Sequence, residues 1–436
     1  MTEPPAHAGR AHAWAWLLCA LCALLGLLLY LAQPQWPLAP GATARQMGVW
    51  LCLLLLLGLW TQRALPPLFA VLLVLLVMNL FGLAPMASLL SGAGSDAVLW
   101  GLGVLGLAAA ARESGLLGWL AAQAARSLRP APRTPAWQRM PAVAWLALAF
   151  ALLPSPRQAR QWARIFQALP VSAPPARRDL SCAAQLCARL AWLPAHPANL
   201  LALALLPASG LDRFVPLYWF AHTWPLALLA LAYAVGVQWL VPPSGAAPPA
   251  APPPAQDAAG RAALRDTAAI ALGTLCLVVL QPLHGLAPGV VTLPALAALF
   301  ALHVLAPRHL QTGIDWPLFV SLMVLPGLVA CFAAALPPLP WSGGSALPLA
   351  LLLGLRLLVP SNAAALLALV LAIPWAEAQR YDLLEALVPA LAGFHLAEFL
   401  LQRHAGSAGR WRRIQATLCS PVTWLGCAAY ALWCGW

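Results

Sequence analysis

This chain of 436 residues is 62% hydrophobic and only 8% charged, a composition that excludes an ordinary soluble domain. Several apolar runs are long enough to cross a bilayer, so the sequence predicts an all-α polytopic membrane protein that has the lipid bilayer as a partner. The formal net charge of +12 comes with no basic helix and no aromatic RNA-binding pattern, so we expect no nucleic-acid partner.

The apolar runs divide the chain into an N-terminal part and two similar halves. Residues 1–45 hold a polar tail and an extra first helix, 46–241 form the first repeat, and 263–436 form the second. Between the repeats, 242–262 is rich in proline and alanine, which predicts a solvated cytoplasmic linker. The eleven predicted spans are 14–32, 47–61, 66–84, 97–124, 181–207, 214–241, 265–284, 286–306, 316–336, 383–402 and 415–435.

Two further apolar stretches, 140–174 and 346–374, have the pattern of re-entrant hairpins. In each, two arms shorter than the roughly 20 residues that a spanning helix needs meet at a tip with a Pro-Ser pair. A simple helix kink would explain one such pair, but two at corresponding places favour a repeated design. Each half then contains three spans, a hairpin and two spans. Because this number of spans is odd, the halves have opposite orientations, which predicts an inverted repeat.

The positions of the arginines predict the orientation in the membrane. All 24 basic residues are arginine, and most of them fall on one side of the predicted spans. Since short cytoplasmic loops carry the excess of positive charge, we expect a cytoplasmic N-terminus and an external C-terminus. We therefore expect an integral protein of a bacterial inner (plasma) membrane, with its two hairpins entering from opposite sides.

The hairpin tips and one interrupted helix contain the candidate substrate-binding residues. They are Ser155, Arg157, Arg160, Asn199, Ser361 and Asn362. A half-helix that begins at a tip offers free N–H groups and a partial positive charge to an anion. A guanidinium can bind a carboxylate or another oxyanion through two parallel hydrogen bonds. The alternative for the two arginines is a position at the shallow cytoplasmic end of the hairpin, where they extend to the interface.

Two other polar positions have more than one interpretation. Arg356 could pair with Glu113 or Glu398, or it could contact the substrate. His196 lies in an interrupted helix between two prolines, where it could titrate, donate to substrate, or only pack at the break.

Several motifs, in this order and spacing, resemble the divalent anion:sodium symporter family, which belongs to the ion-transporter superfamily and carries dicarboxylates, citrate or sulfate. The sequence Ser-Asn-Ala at 361–363 is similar to the Ser-Asn-Thr signature of that family at a hairpin tip. His-Pro-Ala-Asn-Leu at 196–200 is similar to its Thr-Pro-Pro-Asn-Leu helix break, and 113–116 is similar to its Glu-x-Ser-Gly-Leu helix end. The resemblance covers the chain from about residue 64 to its last residue and makes it a divergent member.

The resemblance implies a homodimer in which a hairpin-bearing unit moves against a scaffold. It also implies that Na⁺ is a possible coupling ion, with ion-binding groups at Ser361, Asn362 and Ala363. The implied substrates are small anions, which the serine and asparagine side chains of the signatures bind.

The chain departs from the family pattern at two places. The first hairpin has Ser-Pro-Arg at 155–157 in place of Ser-Asn-Thr, and the second-half break is replaced by a proline-free region around Glu398. We interpret Arg157 or Arg160 as a fixed replacement for the charge that sodium supplies in relatives.

These patterns favour a secondary active transporter of small anions that works by alternating access, as a symporter or antiporter and possibly as a sodium-independent exchanger. The alternative is a transport-inactive relative that serves as a membrane scaffold or regulatory subunit. We expect no enzymatic activity, no metal site and no cofactor, since the sequence shows no acidic or histidine-rich cluster on one membrane face.

Overall fold

The computed structural model describes residues 44–62, 65–127, 140–152, 174–206, 216–240, 257–336, 354–357, 361–380 and 382–403, and every regular element in these ranges is helical. The first half contributes α1 (Ala44–Gln62), α2 (Pro67–Leu80), α3 (Asp96–Glu113), α4 (Leu116–Ser127), α5 (Met140–Ala151), α6 (Pro174–Ala191), α7 (Pro197–Leu205) and α8 (Pro216–Leu240). The second half contributes α9 (Ala258–Val279), α10 (Pro288–Ala301), α11 (Trp316–Ala335), α12 (Ser361–Gln379) and α13 (Leu383–Arg403). Short helical turns lie at Met86–Leu89, Ser91–Gly94, Leu193–Ala195, Gln281–His284, Pro307–Gly313 and 354–357.

Three of the described helices, α9, α11 and α13, are long and apolar enough to span a membrane. The pair α3 and α4 passes the same test together, with a bend of 73° between them. Gly115 lies at this bend with a φ of 76°, a conformation that glycine adopts without strain. The helices thus agree with the predicted all-helical membrane protein. The count of eleven spans stays a prediction, and the spans at 14–32 and 415–435 lie outside the described residues.

The outer surface of several helices is apolar. On α2, the exposed side chains Phe69, Leu72, Leu76 and Leu80 recur every three or four residues and therefore share one face. Such a continuous apolar stripe is unusual on a protein in water and suits contact with lipid. By contrast, α13 is buried along most of its length, so it is a central helix.

The core has two main parts, and α13 borders both. The larger part is formed mainly by α1, α2, α3, α7, α11, α12 and the first turns of α13, where Leu391 is fully buried. The second is formed mainly by α4, α5, α6, α8 and the later turns of α13, where Leu400 is fully buried. Groups on α13 can therefore contact helices from both halves of the sequence.

The third helix of each half packs against the first two helices of the other half. Helix α3 of the first half contacts α9 and α10 of the second, and α11 of the second half contacts α1 and α2 of the first. The corresponding helices α3 and α11 also touch each other, as do α6 and α13. Glycine allows the close contact of α3 with α10, because a Cβ atom at Gly103 would lie 2.4 Å from Thr292. The two halves are therefore interleaved.

Several element boundaries differ from the sequence prediction, and two of these differences have a clear physical cause. Helix α12 continues past Pro374, the predicted end of the second hairpin, and ends at Gln379. The next residues, such as Trp375, are buried in the core, and their packing offsets the hydrogen bond that the proline cannot donate. Helix α9 begins inside the predicted linker, because the Asp257 side chain accepts a hydrogen bond from the Gly260 N–H and caps its first turn.

Candidate functional site

The first-half helix that contains Asn199 is broken, as the sequence predicts. Helix α6 ends at Ala191, a short turn follows, and α7 begins at Pro197. The cause is the pair Pro194 and Pro197, because neither proline has an N–H to donate to the carbonyl four residues before it. The backbone therefore leaves the α6 direction between these residues.

Side chains satisfy the polar backbone groups that the break releases. Pro194 cannot donate to the Leu190 carbonyl, which instead accepts a hydrogen bond of 2.6 Å from the Thr223 hydroxyl on α8. The Arg189 carbonyl accepts from the side-chain amide of Asn199 at 3.1 Å. At the start of α7, Nδ1 of His196 accepts from the Ala198 N–H at 3.2 Å and caps the helix. Side chains from three elements thus bond the backbone at the break.

Helix α13 faces this break with one acidic and one imidazole side chain. His395 and Glu398 are three residues apart, so they lie on neighbouring positions of one helix face. Both are buried, with relative exposures of 0% and 5%. Glu398 is the one acidic residue in the buried class among the described residues. A buried carboxylate requires compensating charges.

The compensating charges of Glu398 come from two different parts of the chain. Nη1 of Arg189, on α6, lies 2.5 Å from Oε2 of Glu398. Nη2 of Arg356, in the turn at 354–357 that precedes α12, lies 3.4 Å from Oε1. Nε2 of His196 is 3.6 Å from Oε2. Among the described residues, two guanidiniums therefore face one carboxylate. We call Arg189, Arg356 and Glu398 the charge cluster.

Hydrogen bonds assign the tautomers of both histidines. Asn199 donates through Nδ2 to a carbonyl, so its Oδ1, which lies 2.7 Å from Nε2 of His395, is an acceptor. Nε2 of His395 is therefore the protonated nitrogen, and Nδ1 is a buried acceptor that no described group reaches. In His196, Nδ1 accepts from Ala198, so Nε2 carries the proton and points its N–H toward Glu398.

The spacing of these groups could suggest a metal site, because ligand atoms of His196, His395 and Glu398 lie within 4.8 Å of one another. The chemistry of the donors fits a metal poorly. Nε2 of His196 carries a proton and has no free lone pair in this tautomer, and the Arg189 guanidinium occupies Oε2 of Glu398 and repels a cation. The site is better suited to an anion or to a hydrogen-bonding ligand.

An apolar groove lies apart from the charge cluster. It has a volume of about 250 Å³, lies between α5, α6 and α8, and is lined by apolar and aromatic side chains, among them Val143, Phe220 and Leu231. Among the described residues, no charged side chain lines it. The groove can hold an apolar group such as part of a lipid chain, but it offers nothing to an anion.

Among the sequence-predicted substrate-binding residues whose side chains the structure describes, Asn199 lies at the charge cluster. Ser361 begins α12 and Asn362 follows, as a half-helix start requires, but their side chains lie outside the description. Ala363 is buried in the main core. Ser155, Arg157 and Arg160 lie outside the described residues.

The sequence predicted one ion pair of the charge cluster, as one of several alternatives, and did not predict the other contacts. Arg356 pairs with Glu398, one of its predicted alternatives, whereas Glu113 pairs with its exposed neighbour Arg112. Arg189 and His395 were not predicted. The available signal was that an acid in an apolar helix needs a basic partner, and Arg189 is itself a charge in an apolar segment.

No protein-family model matches this chain, and no curated protein matches it.

Proposed function

We propose that this chain is a secondary active transporter of small anions, either di- or tricarboxylates or inorganic oxyanions, that works by alternating access. The observation that carries the proposal is the charge cluster, where Arg189 and Arg356 face the single carboxylate of Glu398. Two guanidiniums within reach of one carboxylate are a donor set that also suits another oxyanion, because each guanidinium can donate two parallel hydrogen bonds. A small anion is therefore the ligand that these groups fit best.

The reciprocal packing of the halves supports an inverted repeat for this transporter. In such carriers the substrate site lies between the repeats, near the middle of the membrane. The charge cluster joins α6 of one half to α13 of the other, which is the expected kind of position. The proposal includes the eleven spans, the hairpins at 140–174 and 346–374, a bacterial inner membrane, a cytoplasmic N-terminus and an external C-terminus. Its partners are a small anion, the bilayer and a second copy of the chain.

One observation favours a second candidate function, a transport-inactive scaffold or regulatory subunit. Glu398 already pairs with both arginines of the cluster, so a purely structural role for these three groups is self-consistent. Buried ion pairs of this kind also fix the packing of helices in proteins without any ligand. Transport measurements separate the two candidates.

The test is uptake of labelled succinate, citrate, sulfate and phosphate into vesicles that contain the purified protein. Each anion is supplied with and without a sodium gradient, and with the same unlabelled anion or buffer alone inside. We expect uptake of at least one anion. If a fixed arginine charge replaces sodium, uptake is independent of sodium and increases with preloading, because an empty carrier must return an unpaired charge.

Arg189→Gln and Arg356→Gln should each weaken the apparent affinity for the transported anion about tenfold or more, since a hydrogen bond to a charged partner contributes about 1.5–3 kcal/mol. Arg112→Gln is the matched control, because Arg112 pairs with an exposed neighbour outside the charge cluster. Unchanged affinity in both cluster variants would locate the anion elsewhere. No uptake of any anion under any condition would favour the scaffold.

A further inference from the structure

We propose that a polar face of α6 lines a water-filled path, through which the anion passes between the charge cluster and the cytoplasmic side of the membrane. This face is formed by Ser181, Gln185 and Arg189, which we call the polar track. The three residues recur every four positions, so they follow one side of the helix. The inference rests on the proposed function and adds to it the route of the substrate.

Hydrogen bonds connect the polar track to the charge cluster. Nη2 of Arg189 donates to Oε1 of Gln185 at 3.4 Å, and Nε2 of Gln185 donates to the Ser181 hydroxyl at 3.2 Å. The same guanidinium donates to Glu398 through Nη1. The track therefore begins at the cluster and runs toward the first turns of α6, away from the helix break. At 1.5 Å per residue it covers about 12 Å of the helix.

The pattern of exposure along α6 indicates what the polar track faces. From Leu180 to Leu190, every residue is buried except Gln185, which is half-buried, and Arg189, whose side chain keeps 12% of its surface exposed. Where a helix of this chain faces outward, as α2 does, its exposed side chains are apolar, such as Phe69. Exposed polar side chains on an otherwise buried stretch face water instead of lipid, because contact with hydrocarbon is unfavourable for them.

Helix α13 forms the opposite wall of this path. It runs antiparallel to the broken helix, since Arg189 on α6 contacts Glu398, whereas Asn199 on α7 contacts the earlier residue His395. Following α6 back from Arg189 therefore follows α13 forward from Glu398. The next polar residue on α13 in that direction is Gln402, one turn on and half-buried. Both walls thus place an uncharged amide about one turn beyond the ion pair.

The path leads toward the predicted cytoplasmic side. In the predicted orientation, α6 begins on that side and α13 ends on it. The serine and glutamine side chains carry no charge, and each offers a donor that can replace part of the hydration of an anion. A weak site of this kind lets an anion enter and leave, whereas the arginines bind it more strongly. The order of the groups therefore suits a route that ends at a binding site.

The first test measures whether water reaches the polar track. Gln185→Cys is treated with 2-sulfonatoethyl methanethiosulfonate, an anionic thiol reagent that does not cross membranes, and mass spectrometry of peptides counts the labelling at each cysteine. Cys187 is the internal control, because it lies on the opposite side of α6 and lines the apolar groove. The thiol introduced at position 185 should react at least about tenfold faster than Cys187, since an accessible thiolate is the reactive species. Equal rates would overturn the proposal.

The second test determines the side to which the path opens. Ser244→Cys, in the linker that the sequence predicts to be cytoplasmic, marks that side of the membrane in sealed vesicles. Gln185→Cys should react with the reagent from the same side as Ser244→Cys. Reaction from the opposite side alone would overturn the proposed route. If Gln185→Cys does not fold, Ser181→Cys gives the same two tests, because it lies one turn nearer the opening.

The third test asks whether the anion itself uses the path. In vesicles that take up labelled sulfate or succinate, modification of Gln185→Cys by the anionic reagent should lower uptake about tenfold, because a fixed negative charge repels the substrate. The trimethylammonium analogue, which is similar in size but positive, should inhibit less. Wild type treated with either reagent is the control and should keep its uptake. Unchanged uptake, or equal inhibition by the two reagents, would overturn the route.

The outcomes separate this inference from the proposed function. Thiol labelling needs no transport, so it tests the path even in a protein that moves nothing. An inaccessible polar track in vesicles that take up an anion rejects the route and leaves the carrier. Failure of succinate, citrate, sulfate and phosphate to enter under any condition rejects the carrier and this inference together.

Discussion

Helices at corresponding places in the two halves meet at the charge cluster, but one is broken and the other is continuous. In the first half, α6 and α7 are separated at Pro194 and Pro197, which leave two carbonyls without their usual donors. In the second half, α13 runs from Leu383 to Arg403 even though it contains Pro389. A single proline removes one helical hydrogen bond, whereas two prolines three residues apart remove enough to interrupt the helix.

The comparison shows which groups each half contributes to the charge cluster. The broken helix supplies polar groups and a guanidinium, and the released Leu190 carbonyl accepts a hydrogen bond from Thr223. The continuous helix supplies the acid and the imidazole that oppose them. Because Glu398 is buried and Arg189 nearly so, neither half could hold its charged groups without the other. This dependence can be tested from either side.

The largest expected effect on the free energy of unfolding comes from replacing the Glu398 carboxylate. Glu398→Gln removes the carboxylate that both guanidiniums contact, so in anion-free detergent it should lower the free energy of unfolding by about 3–5 kcal/mol. Arg189→Met should cost less, because it leaves Arg356 and Glu398 as a formally neutral pair. The measurement is unfolding followed by tryptophan fluorescence, with and without sodium sulfate, which should rescue Glu398→Gln more than wild type.

Glu113→Gln is the control for this comparison, since its pair with Arg112 is about one-third exposed and should contribute at most about 1 kcal/mol. A larger loss for Arg189→Met than for Glu398→Gln would contradict this prediction, because it would show that the two guanidiniums do not depend on the Glu398 carboxylate.

The second prediction tests whether the break needs its side-chain partners. Thr223→Val keeps the size of the side chain but removes the donor to the Leu190 carbonyl, so it should lower the free energy of unfolding by about 1–3 kcal/mol. Thr267→Val is the matched control. Thr267 is equally buried, and its hydroxyl bonds the carbonyl of Ala263 within its own helix. The Thr223 hydroxyl likewise lies 2.8 Å from the Trp219 carbonyl of its own helix, so the two variants differ in the contact with Leu190. Equal losses in the two variants would show that the break does not depend on Thr223.

The sequence predicted the break itself but only part of what the break contacts. Pro194, Pro197 and Asn199 indicated a helix interruption because proline lacks a donor, and that is a local property. The pair of Arg189 with Glu398 joins residues 209 positions apart, and nothing in periodicity or composition specifies such a contact. Glu398 is buried on a central helix, where an acid requires basic partners such as Arg189 and Arg356. The tip residues of the first hairpin remain a prediction.

The smallest expected effect separates the two roles of His196, which both caps α7 and faces Glu398. His196→Ala removes the acceptor for the Ala198 N–H and should lower the free energy of unfolding by about 1 kcal/mol, the usual contribution of a helix cap. His196→Asn should keep stability near that of wild type, because asparagine is among the best capping residues, but it removes the imidazole N–H that points at Glu398.

If the imidazole serves only as a cap, His196→Asn should match wild type in both unfolding and anion affinity. If the imidazole also stabilises the charge cluster, His196→Asn should keep stability and still weaken binding of labelled sulfate or succinate, as His196→Ala does. Loss of stability in both variants to the same degree would contradict the capping role, because it would show that the ring, and not its acceptor nitrogen, maintains the break.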